Sequence, residues 1–364
     1  MSLYQLPDEI WCIILKSAFP DMETEIITMK AIFMVRATSV RFLECVNLYL
    51  LSCIKHIQME QSESIPSFCL PLFTGLNSLS QMTLPQTNDE TLSLMPWIKD
   101  LIIQKDFNVL DDCFRDLPPL TESGLHGLTN LVSLSIQEPT KNQVKCLSKL
   151  VNLEKLDIRF NKCVSDKELP FLTSLTYLHL YNDRKFKGVC FTQMPHLKNL
   201  ALSGASKLVI EDTNPLVIKL ESLSLWYCGV ISPSTIMRMT NLKQLQVEDT
   251  RGNYETIKSL TSLTSLILTS VDLDDDTLMH LTQLCSLELS YVHKITSKTI
   301  AHLSPSLRKL SVVHCASILP SDFLYCTNLT QLYHVSNKTT TAQDVETFKL
   351  LADRGVNMDK CKPR

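Results

Sequence analysis

The sequence predicts an α/β solenoid, and three observations carry that prediction. An apolar residue returns at positions 1, 4, 7 and 9 of thirteen segments, whose third apolar positions are Ile57, Met82, Leu101, Leu134, Leu156, Leu178, Leu200, Leu223, Leu245, Leu266, Leu287, Leu310 and Leu332. From Leu134 to Leu332 those positions recur in steps of 21 to 23 residues. The 364 residues include only 8 glycines, and no linker-like or low-complexity stretch interrupts the series.

A fixed step of roughly 20 to 29 residues with this apolar spacing is the period of leucine-rich repeats. The clearest copies read Leu128, Leu131, Leu134, Ile136, then Leu150, Leu153, Leu156, Ile158, then Leu260, Leu263, Leu266, Leu268. The last two apolar residues of each copy are two apart and so share one face of a short strand. One such strand cannot bury that face alone. Stacked copies pair their strands in a parallel sheet, and each leucine that enters the common core contributes roughly 1.5 to 3 kcal/mol. The expected fold is therefore a leucine-rich-repeat horseshoe solenoid, with the parallel β-sheet on its concave face and short helices and turns on its convex face.

The segments that return from one strand to the next predict short helical turns at Thr235 to Met239, Thr277 to Leu281 and Thr299 to Leu303, preceded by polar residues such as Asp275, Asp276 and Ser297 that can satisfy exposed amides. The position where this class often places Asn or Cys holds Asn161, Cys228, Cys315 and Asn337, but also Ala205, Val271 and Val292. At the C-terminal end Thr341 and Asp344 match a capping box, Val345, Phe348 and Leu351 follow at helical spacing, and Gly355 supplies a stop. Residues 341 to 354 are thus expected to form a helix that seals the last repeat, within a C-terminal segment 341–364.

Composition narrows the function. Basic and acidic residues number 35 and 38, for a net charge of −3, so no basic field exists to track phosphates and nucleic acid is not an expected partner. Asp8 and Glu9 interrupt the first apolar stretch, whose longest run, Ile10 to Leu15, argues against a secretory signal and against a membrane span. The 13 cysteines are odd in number, scattered, and never in a Cys-x-x-Cys pair, as expected for reduced thiols in a cytoplasmic or nuclear protein.

No nucleophile elbow, phosphate-binding glycine loop or His-Glu-x-x-His motif is present, so no enzyme, cofactor or metal is expected. Asp272, Asp274, Asp275 and Asp276 begin like a calcium loop. Thr277 and Gln283 stand where that loop needs Gly and Glu, and an acidic helix start is the better reading. His314 beside Cys315 lacks a further polar partner, and Cys315 occupies a core-facing repeat position.

Ahead of the first repeat, Leu6-Pro7-Asp8-Glu9-Ile10-Trp11 opens an amphipathic helix with Ile14 and Leu15, and a second helical stretch, Met29 to Val46, carries Val35, Val40, Arg41 and Phe42. This Leu-Pro-x-Glu-Ile opening and the later Arg-Phe helix resemble an F-box. Followed by leucine-rich repeats, they resemble the F-box/leucine-rich-repeat family. The resemblance implies an N-terminal all-α F-box-like module over residues 1–48, ahead of a solenoid over residues 49–340 with about 13 repeats. It further implies a subunit that recruits a target protein to a ubiquitin ligase by docking on a Skp-type adaptor, and through it a cullin. The adaptor surface would involve Leu6, Pro7, Ile10, Trp11, Ile14 and Leu15, with Val35 and Phe42 packed behind. Two features depart from the pattern: a long connection, Lys16 to Thr28, and no tryptophan near Arg41-Phe42. The same helices would also serve as an N-terminal cap of a stand-alone protein-binding scaffold.

The solvent side of the strands gives the candidate recognition face: Lys155, Asp157 and Arg159, then Tyr177, His179 and Tyr181, then Ser222, Ser224 and Trp226. Aromatic and Arg side chains are over-represented in binding hot spots, although exposed rings can equally pack against one another along a sheet. A longer step between Leu101 and Leu134 places an acidic, proline-containing insertion at 104–127 as a second candidate.

Overall fold

A computed structural model describes residues 26–28, 56–58, 81–84, 92, 98–103, 125, 127–160, 162–181, 186–250, 252, 254–336 and 341–358. The chain divides into two compact units, Met1–Val164 with Glu168–Leu175, and Ser165–Lys167 with Thr176–Arg364. The residues expected to face the adaptor, Leu6, Pro7, Ile10, Trp11, Ile14, Leu15, Val35 and Phe42, lie outside the described residues, as does the 104–127 insertion apart from Leu125 and Gly127.

The first unit holds six parallel strands: β1 (Ile26–Thr28), β2 (His56–Gln58), β3 (Gln81–Leu84), β4 (Asp100–Ile103), β5 (Ser133–Gln137) and β6 (Lys155–Arg159). Their register runs Ile27, Ile57, Met82, Leu101, Leu134, Leu156, so the repeat anchors stand opposite one another. Ile27 is an anchor that the spacing did not reveal, because 30 residues separate it from Ile57. Among the described residues the sheet thus begins inside the F-box-like segment 1–48, at the end of the connection Lys16 to Thr28 that separates its two expected helical stretches. Ile26, Ile27 and Thr28 are all β-branched, which suits a pleated strand better than a helix.

The second unit holds eight parallel strands, each paired with its successor: β7 (Tyr177–Leu180), β8 (Asn199–Ser203), β9 (Ser222–Trp226), β10 (Gln244–Glu248), β11 (Ser265–Thr269), β12 (Ser286–Ser290), β13 (Lys309–Val313) and β14 (Gln331–Val335). Register keeps Leu178, Leu200, Leu223, Leu245, Leu266, Leu287, Leu310 and Leu332 in one row. All eight are at most 5% exposed, which makes the row the floor of the core. The second core row, from Leu180 through Val312, ends on His334 in β14.

Short returns complete each repeat. Helix α1 (Lys141–Cys146) in the first unit starts at a capping box, Thr140 with Gln143. In the second unit α2 (Pro233–Met237), α3 (Asp275–Leu278) and α4 (Ser297–Leu303) are capped by Ser232, Asp274 and Thr296. They start two residues earlier than predicted, so Asp275, Asp276 and Ser297 lie within the first turn and not before it. Each cap is followed three residues on by a buried threonine, Thr235, Thr277 or Thr299. Val189–Gln193, Glu255–Ser259 and Pro320–Tyr325 are 3₁₀ turns. Helix α5 (Ala342–Asp353) closes the second unit, with Thr341 and Asp344 each donating the backbone N–H to the other's side-chain oxygen at its start and Leu351 fully buried.

One backbone feature recurs at the strand ends. The residue directly after β5, β6, β8, β9, β10, β11, β12 and β13 is left-handed: Glu138, Phe160, Gly204, Tyr227, Asp249, Ser270, Tyr291 and His314, with φ between 45° and 72°. Only Gly204 takes that conformation without steric cost; the others pay roughly 1 to 2 kcal/mol each. The turn aims the residue's N–H at the next repeat. Tyr227, Asp249, Ser270, Tyr291 and His314 donate to the carbonyls of Glu248, Thr269, Ser290, Val313 and Val335 at 2.8 to 3.1 Å, which extends the ladder one rung past the strand.

The exposed sheet face as candidate functional site

Strand alternation delivers the candidate residues to solvent. In β6, Lys155 and Arg159 are exposed while Leu156 and Ile158 are fully buried. Asp157 sits between them, accepts a hydrogen bond from Ser135 Oγ at 3.2 Å and pairs with Arg159 Nε at 3.1 Å. Asp157 and Arg159 therefore engage each other, and Lys155 stands out alone toward solvent on that strand.

In the second unit Tyr177 and His179 are half-buried on β7, and Tyr181, the residue after it, is 41% exposed. Trp226 ends β9 two strands away, and its ring lies 5.8 Å from that of His179 at a 51° tilt. Between them their register partners on β8 are Ala201 and Ser203, small enough for the rings to meet across the strand. The sequence expectation of lateral ring packing thus describes His179 and Trp226, whereas Tyr181 keeps much of its surface in water.

The patch extends beyond the residues the sequence singled out. Tyr227 is 58% exposed, although strand alternation would have turned it to the core, because its left-handed conformation swings it outward. Its hydroxyl faces the Asp249 carboxylate, whose hydrogen bond and negative charge raise the tyrosine's pKa. Glu248 is the register partner of Trp226, and its carboxyl is pushed up first by burial and then by the charge of Asp249. Further along, Tyr291 lies 4.9 Å from His314. An open cavity of about 330 Å³ over β12 to β14 is lined by Glu288, Lys309, Ser311, Gln331, Tyr333 and Asn357, a mixed set that selects no single charge.

Several other side chains that the sequence singled out are occupied structurally. Asp272 pairs with Lys294 at 2.8 Å, Asp274 caps α3, and Asp275 accepts from Thr296 and Thr299. The Cys315 thiol donates to Leu289 O at 3.6 Å, and Cys228 does the same to Leu202 O at 3.2 Å. Among the described residues no group of three or more His, Cys, Asp or Glu is arranged to hold a metal ion, and no helix is long and apolar enough to cross a membrane.

In-register parallel strands joined by short returns, on a repeating leucine floor, decide the architecture. This is the leucine-rich-repeat fold. No family model matches the chain, and no curated protein matches it in sequence. Solved structures do. An internalin of Listeria monocytogenes is similar at 17% identity and a TM-score of 0.54 over 83% of this chain and 84% of that one. A leucine-rich-repeat protein of Leptospira interrogans is similar at 18% identity and a TM-score of 0.50 over 86% of this chain and 91% of that one. In the mouse RP105/MD-1 complex, the matching chain is similar at 16% identity and a TM-score of 0.51, over 85% of this chain and 61% of that one. At these identities the likeness is one of fold.

Proposed function

We propose that the chain is a non-catalytic, substrate-recognition subunit of a Skp/cullin/F-box ubiquitin ligase. The exposed sheet face holds a target protein, and the F-box-like segment docks on the Skp-type adaptor and through it the cullin. The observation that carries the receptor half is the cluster of part-exposed aromatic side chains, Tyr181, Trp226 and Tyr227, on a parallel sheet face whose remaining positions are mainly small and polar. Such rings are characteristic anchors of protein interfaces. The adaptor half rests on the Leu6-Pro7-Asp8-Glu9-Ile10 opening and its helix. Such a subunit acts by proximity, raising the local concentration of target beside a conjugating enzyme that other subunits supply.

A second reading, a stand-alone protein-binding scaffold, is favoured by one observation. Strand β1 pairs with β2, so part of residues 1–48 belongs to the repeat sheet and serves as its beginning. Size-exclusion chromatography with a Skp adaptor separates the two readings, using the native chain beside a Leu6→Arg/Ile14→Arg variant. Co-elution that the double change abolishes, with an unchanged circular-dichroism spectrum, supports the ligase subunit. Failure of the native chain to co-elute leaves the scaffold.

A further inference from the structure

We infer that the exposed face of the second unit takes a basic segment of its protein partner, with one arginine or lysine side chain held against Trp226 and Tyr227 by the carboxylates of Glu248 and Asp249. The inference rests on the protein-binding reading above and adds the chemistry of the partner.

Geometry brings the four side chains together. Trp226 and Glu248 are register partners on β9 and β10, on strands about 4.8 Å apart. Tyr227 and Asp249 follow them in the same left-handed conformation, and the Tyr227 N–H donates to Glu248 O at 3.0 Å. Two rings thus stand beside two carboxylates in a two-by-two arrangement. The flanking register positions, Ser203 on β8 and Thr269 on β11, are small and neutral.

Charge indicates what is missing. Several carboxylates elsewhere in the unit are compensated. Glu221 lies between Lys198 at 2.9 Å and Lys243 at 3.0 Å, Asp272 pairs with Lys294, and Asp212 and Asp275 accept hydroxyl hydrogen bonds. Neither Glu248 nor Asp249 takes part in an ion pair among the described residues. Among the described residues the Asp249 carboxylate interacts with the Tyr227 hydroxyl and with no cation, and Glu248 sits in surroundings that disfavour its charge. An incoming cation relieves the repulsion between the two acids and meets an aromatic face at the same time, the combination that suits a guanidinium or an ammonium group. Arginine fits better than lysine, since its planar group can stack on Trp226 and bridge both carboxylates.

The test is fluorescence anisotropy of labelled Gly-Arg-Gly-Arg-Gly, Gly-Lys-Gly-Lys-Gly and Gly-Glu-Gly-Glu-Gly peptides, titrated with the full chain up to 1 mM in physiological salt. The expected result is saturable binding in the order Arg, then Lys, with none for Glu. Glu248→Gln/Asp249→Asn and, separately, Trp226→Ala should each weaken the Arg peptide at least tenfold. Glu288→Gln, on the same face, should leave it unchanged, with thermal midpoints confirming that all variants are folded. Equal affinity in every variant, or no preference for Arg over Glu peptides, overturns the inference. Peptide binding and adaptor co-elution use different residues. Loss of the first with retention of the second sinks this inference alone, and the reverse sinks the ligase reading alone.

Discussion

The Thr299 hydroxyl donates to the Asp275 carboxylate at 2.6 Å, across 24 residues of chain and from one repeat to the one before it. The same carboxylate accepts the Thr296 N–H at 2.8 Å and the Thr296 hydroxyl at 2.6 Å. Two other returns are tied in this way. Asp212 accepts from Ser232 and Thr235, and Asp166 from the N–H groups of Lys187 and Cys190. An aspartate in one return thus fixes the start of the next.

Replacing Asp275 by Ala should therefore destabilise the second unit by about 1 to 3 kcal/mol, since the fully buried Thr299 loses its partner. Burial disfavours the Asp275 charge, but the hydrogen bonds from Thr296 and Thr299 outweigh it and hold the carboxyl below its usual value of 3.8. A depressed carboxylate contributes stability that is present above pH 3.8 and lost as pH falls through the folded value. Urea titrations at pH 7 and pH 3 check both points, and the Asp275→Ala deficit should shrink at the lower pH.

His334 predicts a second pH effect of opposite chemical origin. Its ring lies 5.3 Å from Phe323 and 5.7 Å from Phe348 of α5, and burial lowers its pKa despite the nearby charge of Asp344. A histidine with a depressed folded value favours the neutral form. Its contribution is complete above the ordinary value of 6.5 and declines as pH falls below it toward the folded value. Exchange protection in α5, with the intrinsic pH dependence of amide exchange divided out, should fall between pH 7 and pH 5, and His334→Phe should flatten that dependence.

Thiol labelling should sort the cysteines by burial. Burial pushes Cys228 and Cys326 up to about 11, and it raises Cys190 as well, helped there by the Asp166 charge. Cys285 is part-exposed. Because the thiolate is the reactive species, a shift from 9 to 11 lowers its population about a hundredfold at neutral pH. Site-resolved mass spectrometry after iodoacetamide should find Cys285 modified well before Cys228, Cys326 and Cys190. Equal rates in the folded protein would contradict their placement.

Ser270 isolates the backbone cost of the left-handed turns, because it is exposed and its φ is 54°. Ser270→Gly should raise stability by a few tenths to about 1 kcal/mol as steric strain is relieved, less the extra entropy of the unfolded chain. Ser270→Val should cost more than 1 kcal/mol, since a β-branched residue is poorly accommodated there. Chemical denaturation of the two variants, with equal slopes, reads the difference directly.

The leucine spacing made the repeat register legible, because each anchor must enter a shared core and a slip of one residue would turn it to solvent. Leu134 to Leu156 and Leu178 to Leu332 stand in the rows that the spacing implied. The Thr341 and Asp344 pair was legible too, since a capping box is a local signal. Ile27 was not, because its distance from Ile57 breaks the period and an F-box-like pattern surrounds it. Nor were Tyr227 and Asp249, for a different reason. A period of two predicts that the residue after Trp226 turns inward, nothing in Tyr announces a positive φ, and the left-handed preference of Asp is too weak to do so alone.

The left-handed row also uncouples side chain from main chain. Glycine, tyrosine, aspartate, serine, tyrosine and histidine occupy successive positions of the row in the second unit with φ held between 45° and 72°, each N–H reaching the same acceptor in the following repeat. The backbone there is set by its neighbours and not by the letter written on it. Exchanging one letter alters what the rim displays and leaves the path of the chain unchanged, so the edge of the sheet behaves as a line of movable type.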